Sequence, residues 1–127
     1  VIGERERVRA RPLSRTTVLV SAFGEIDAAS ADYFADGIEQ HIGGYRQLVL
    51  DLSQLEFFGT AGYGVLDRVR ERCAGSAADW VLVPGPEVDR LLRLSGRRDT
   101  LPRAADIDTA MATLERRQTG WLSRNTA

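Results

Sequence analysis

Lysine is absent: all 17 basic residues of this 127-residue chain are arginine. Without lysine there is no P-loop ammonium, no Schiff-base nucleophile and no lysine general base. Histidine and cysteine occur once each, as His41 and Cys73. An internal disulfide, a cysteine-based zinc cluster and a histidine-rich metal site are therefore excluded. Charge of one sign is lacking too, because 18 acidic residues against 17 arginines leave a formal net charge of -1. Such a balance supplies no global field to draw the protein to nucleic acid or to an anionic membrane. No apolar run approaches the roughly 20 residues that span a bilayer. The arginine-rich start, Val1 to Pro12, lacks the apolar centre of a signal peptide. These absences predict a cytoplasmic protein in a reducing compartment that binds partners through a local surface, with no cofactor, metal, direct nucleic-acid contact, membrane insertion or enzymatic activity. The bias toward arginine and alanine fits a GC-rich genome.

What is present suits one domain. A hydrophobic content of 43% over 127 residues fills one core and not two. Val8 to Pro12 and Thr17 to Phe23 flank the turn-like Leu13-Ser14-Arg15 and predict a hairpin. Ser30 is placed to cap a helix reaching about His41, with Phe34, Ile38 and Ile42 as its inner stripe and Gly43-Gly44 as its end. Leu48 to Leu52 is a nearly continuous apolar run, as expected of a central strand covered on both faces. From Thr60 to Ala74, Ala61, Val65, Leu66, Val69 and Cys73 share one helical face, with Asp67, Arg68, Arg70, Glu71 and Arg72 on the other. Trp80 to Val83 predicts another strand, and Pro86 opens a helix carrying Val88, Leu91 and Leu92 to a stop at Ser95-Gly96. Leu101 to Ala105 predicts an edge strand limited by Pro102. A last helix starts at Asp106 or Asp108 with Ile107, Ala110, Met111 and Leu114 inward. Residues 1–7 and 118–127 are expected to be flexible ends. The alternation calls for an α/β domain with a mixed four- to five-stranded sheet and about four helices.

Two segments then point to a family. Gly24-Glu25-Ile26-Asp27 with Ser30 is similar to the Gly-Glu-Leu-Asp loop of STAS domains, whose best-known members are bacterial anti-sigma factor antagonists, or anti-anti-sigma factors. Leu48 to Ser53, followed by Phe57-Phe58-Gly59-Thr60-Ala61-Gly62-Tyr63-Gly64-Val65-Leu66, resembles the family's strand, aromatic or aliphatic bridge, Asp-Ser-Ser-Gly, Leu-Gly and apolar helix. Val88 to Gly96 resembles the family's third helix, and the likeness runs from about residue 8 to 117. The resemblance implies docking of the loop before the second helix onto an anti-sigma factor with a kinase-like ATP-binding fold, with release of a sigma factor. It also implies phosphorylation control at the second Ser of Asp-Ser-Ser-Gly, where an added charge of about -2 would disrupt a packed interface. Aligned on Gly62, that motif is Gly59-Thr60-Ala61 here, so the usual acceptor is replaced by Ala61 and control is lost or moved to Thr60. An N-cap role for Thr60 is the plainer expectation.

The expected partner-binding residues are thus Glu25, Asp27, Ser30, Phe57, Phe58, Gly59, Thr60, Ala61, Gly62, Tyr63 and Gly64. STAS domains also serve as subunits of lipid-transport ATPases and of stress-sensing scaffold complexes, which is the alternative use. A third is nucleotide or small-ligand binding at Gly59, Gly62 and Gly64, whose G-x-x-G-x-G spacing departs from the dinucleotide fingerprint. Asp27 serves equally as a satisfier of helix-start amides, His41 as a solvated residue near a helix end, Cys73 as a small core residue and Trp80 as strand core. Trp121-Leu122 in the tail is left as a packed anchor, a homodimer contact or a partner contact.

Overall fold

The computed structural model describes residues 7–97 and 100–125, with side chains through Gln118. Strands β1 (Val8–Pro12) and β2 (Thr17–Ala22) pair antiparallel around the predicted turn, where the Ser14 hydroxyl accepts from the amides of Thr16 and Thr17. After β3 (Gly24–Ile26), helix α1 (Ala31–Glu39) leads to β4 (Gln47–Asp51), and β5 (Leu55–Phe58) leads to helix α2 (Gly62–Gly75). Strand β6 (Asp79–Val83), helix α3 (Gly85–Ser95) and helix α4 (Ile107–Asn125) complete the order.

The main sheet runs β1-β2-β4-β6, with β4 parallel to both of its neighbours. All five β4 residues are buried, which is why its sequence shows no polar alternation. On one face Val18, Val20, Leu48, Leu50 and Leu82 meet Phe34, Ile38, Val65, Val69, Val88 and Leu92 of α1, α2 and α3. On the other, Leu19, Val49, Val81 and Val83 meet Ala110 and Leu114 of α4, with Ile107 and Met111 alongside. The helix stripes read from spacing are the packed stripes, and Trp80 and Cys73 are both core residues.

Several boundaries differ from expectation. Strands β3 and β5 form a separate two-stranded parallel sheet; at three and four residues they are too short to show a period. Helix α1 stops at Glu39, and residues 40–44 turn before Gly43-Gly44 can act as its end. Leu101 to Ala105 makes one bridge, Arg103 to Leu82, and not a strand, because Pro102 has no amide to extend the ladder. Helix α4 is helical through Asn125, past the Gln118 expected to begin a tail. The Trp121-Leu122 side chains lie outside the described residues.

Candidate functional site

β2, β4 and β6 are parallel, so the segments that follow them gather at one end of the sheet. There β3 pairs with β5, placing Glu25 opposite Phe57 and Ile26 opposite Phe58. Gly59 continues the contact by donating its amide to the Ile26 carbonyl at 2.9 Å. The two segments that resemble the family motifs, far apart in sequence, thus form one surface at the head of α2.

The loop enters α2 through successive tight turns, Gly62 N–H to Gly59 O at 2.9 Å and Tyr63 N–H to Thr60 O at 3.1 Å. Ala61 occupies the N-cap position, without a side-chain cap. The expected cap by Thr60 is not formed: Thr60 lies one residue too early, and its exposed hydroxyl makes no hydrogen bond among the described residues. Phe58 and Gly62 are buried and Phe57 is 41% exposed. Phe58 and Gly62 therefore hold the loop from beneath, while Phe57, Thr60 and Gly64 face outward. Tyr63 is half-buried, donating its hydroxyl to the Leu91 carbonyl at 3.0 Å beneath the Arg97 guanidinium, which sits 4.5 Å from the ring centroid. That bond ties the start of α2 to α3.

At the entry to α1, Asp27 accepts from the amides of Ala29 and Ser30 at 3.0 and 2.9 Å. The Ser30 side chain and amide, above all, hold the Asp27 carboxyl below the usual carboxylate range. Ser30 does not cap the helix with its own side chain. Its hydroxyl accepts from the Asp27 amide and donates to the Glu25 carbonyl, at 3.0 and 2.9 Å. These bonds close the loop around Asp27, so the plain role expected of that carboxylate is present.

A groove of about 550 Å³ runs beside this loop, lined by Glu25, Asp27, Ser30, Tyr33 and Glu56 with Arg7 at its margin. Tyr33, 43% exposed, and Glu56 were not among the expected site residues. Along the α1–α2 flank, Arg68 bonds Asp36 at 2.6 Å and also Glu39, with Asp32 at 3.6 Å. The Asp36 bond, foremost, raises the pKa of Arg68. Among the described residues no group of three or more His, Cys, Asp or Glu is arranged to hold a metal ion, and no helix is long and apolar enough to cross a membrane.

The family model described as the STAS domain matches residues 9–110. Osmosensory protein A of Mycobacterium tuberculosis is 34% identical over 87 residues, 68% of this chain and 54% of the relative, so the chain spans about half the length of that curated relative. The crystal structure of an anti-sigma factor antagonist from Mycobacterium paratuberculosis is 26% identical with a TM-score of 0.72, over 85% of this chain and 92% of that one. The anti-sigma factor antagonist SpoIIAA in its unphosphorylated form shares the fold at a TM-score of 0.65 and 21% identity, over 88% of this chain and 96% of that one. With the family match running from β1 into α4 across both sheets and the loop that joins them to α2, the chain belongs to the STAS domain family.

Proposed function

We infer that this protein is an anti-sigma factor antagonist that acts by binding. The carrying observation is the stretch Phe57 to Gly64, with Phe57, Thr60 and Gly64 facing outward, set beside Glu25 and Asp27 at one end of a fold that matches an anti-sigma factor antagonist at 26% identity. A half-exposed aromatic among small residues and carboxylates is a workable docking surface: the ring supplies apolar area, and the glycines allow close approach. The partner is an anti-sigma factor of kinase-like fold, whose capture releases a sigma factor in the cytoplasm.

In this reading the switch differs from the family pattern. Ala61 has no hydroxyl, whereas Thr60, one residue earlier, is exposed and not engaged in capping. A phosphate on Thr60 would lie at the positive, N-terminal end of the α2 dipole, where an anion is tolerated by the domain. It would also lie within the docking surface, where its charge opposes binding. Control through Thr60 or no phosphorylation control are the two outcomes this loop permits.

The test is titration of the purified chain against kinase-fold anti-sigma factors by calorimetry, with and without Mg-ATP, followed by mass spectrometry. Binding weakened about tenfold or more by Phe57→Ala, at unchanged thermal stability, is expected. Failure to bind any of them would remove the proposal. The name of the mycobacterial relative, Osmosensory protein A, favours an osmotic-stress pathway as the setting, consistent with a role in a stress-sensing assembly.

A further inference from the structure

The opposite end of the sheet holds a second constellation. Where β2, β4 and β6 begin, a cavity of about 430 Å³ is lined by Thr16, Arg46, Gln47, Ala77, Asp79 and Arg117, among others. Its walls are tied together. The Thr16 carbonyl accepts from the amides of Arg46 and Gln47 at 3.0 and 2.9 Å, and the Arg46 carbonyl accepts from the Asp79 amide at 2.9 Å. Gln47 is 8% exposed and fixed at both ends of its amide: Thr17 donates to it at 2.8 Å, and it donates to the Leu114 carbonyl at 3.1 Å. Arg117 from α4 closes the far side on Asp79 at 2.8 Å.

The charges do not cancel. Arg117 neutralises Asp79, which leaves Arg46 without an ion pair among the described residues. Arg15 in the turn between β1 and β2 and Arg72 near the end of α2 are likewise exposed and unpaired among the described residues, Arg72 lying across Gly43. A guanidinium fork matches phosphate oxygens in a bidentate fashion. The cavity exceeds what an inorganic phosphate needs and lies in the range of small-molecule sites. The Asp79 Oδ2, which makes no hydrogen bond among the described residues, offers an acceptor for hydroxyl groups.

We propose that this cavity binds a small phosphorylated polyol, with the phosphate on Arg46 and a hydroxyl directed to Asp79. The site is separate from the docking loop, so its occupancy can be measured whether or not an anti-sigma factor binds.

The experiment is an amide-resolved NMR titration of the full chain with ribose 5-phosphate, ribose and inorganic phosphate at millimolar concentration. Saturable shifts at residues 46–47 and 77–79 with ribose 5-phosphate, none with ribose, and amides 59–64 unmoved are expected. Arg46→Gln should weaken binding about tenfold while leaving the thermal midpoint unchanged, since Arg46 is exposed. Absence of saturable shifts at those amides, or equal affinity in Arg46→Gln, overturns the site. Inorganic phosphate binding as tightly as ribose 5-phosphate overturns the polyol assignment.

Discussion

The ring of Phe58 lies directly under Gly62, so that a Cβ added at the glycine would stand 2.3 Å from two of its carbons. Phe58 is itself buried and cannot swing aside without opening the core. Gly62→Ala is therefore expected to cost about 1–3 kcal/mol, the range for overpacking a filled core. Urea denaturation would show it as a lower midpoint with unchanged slope. Phe58→Leu placed in the Gly62→Ala background should recover part of that loss; a double variant less stable than the sum of the two singles would contradict the contact.

Thr60 separates capping from switching. Because its hydroxyl caps nothing, Thr60→Ala should change stability by less than about 0.5 kcal/mol, against about 1 kcal/mol for removal of a genuine N-cap. Thermal unfolding of the two proteins checks this. Thr60→Glu, which brings one negative charge to the same place, should weaken partner binding while the fold persists.

Asp27 gives the loop a pH dependence. Its folded-state pKa is depressed by bonds from Ser30 and Ala29, so its stabilising contribution is fully present above its unfolded value of 3.8. It is lost as the pH falls through the folded value. Carboxyl NMR titration should place Asp27 below that reference. Asp27→Asn, which keeps an acceptor oxygen but no charge, should flatten the stability difference across this acid window and leave neutral-pH folding intact.

Cys73 should be chemically silent. It is 1% exposed, and burial, with a smaller contribution from the Asp79 charge, pushes its thiol up to about 11. Thiolate is therefore scarce at neutral pH, and reaction with a thiol-specific reagent should proceed only at the rate of unfolding. Rapid labelling of the native protein would contradict this. The nearby Arg70 and Arg72 do not alter the outcome: Arg70 is paired with Asp67, and desolvation of the thiol dominates.

Ala77 carries a positive φ of 54°, the only non-glycine to do so among the described residues. It stands just past α2, where the Ala78 amide reaches back to the Cys73 carbonyl at 2.8 Å, the position at which a helix normally recruits glycine. Ala77→Gly should stabilise by about 1 kcal/mol, since relief of the left-handed strain exceeds the added freedom of the unfolded chain. Calorimetry would register a higher melting temperature.

What the sequence disclosed and withheld has a physical pattern. β4 was legible because burial on both faces leaves Leu48-Val49-Leu50 no polar interruption. The helices were legible because Phe34, Ile38, Val65 and Val69 repeat at the helical period. β3 and β5 were not, because Glu25, Glu56 and Phe57 are exposed residues on strands held by pairing with each other. Of the loop motif, its position before α2 was readable. Which members face outward was not, since Phe57 and Phe58 are identical in type and adjacent in sequence yet face different surroundings. Caps failed for a related reason: Ser30 and Thr60 are of the right type, but hydrogen bonding depends on a backbone geometry that residue type alone does not specify.

The placement of β4 between β2 and β6 also bears on how the chain is made. Ribosomes deliver residues in numerical order, and β4 leaves before one of its two hydrogen-bonding partners exists. Until Val83 has emerged, the inner strand of the finished sheet is an open edge of apolar Leu48, Val49 and Leu50. Strands of that kind invite pairing with other chains. The interval between the emergence of Asp51 and that of Val83 is thus the one in which the nascent sheet is most exposed to aggregation and most in need of a chaperone.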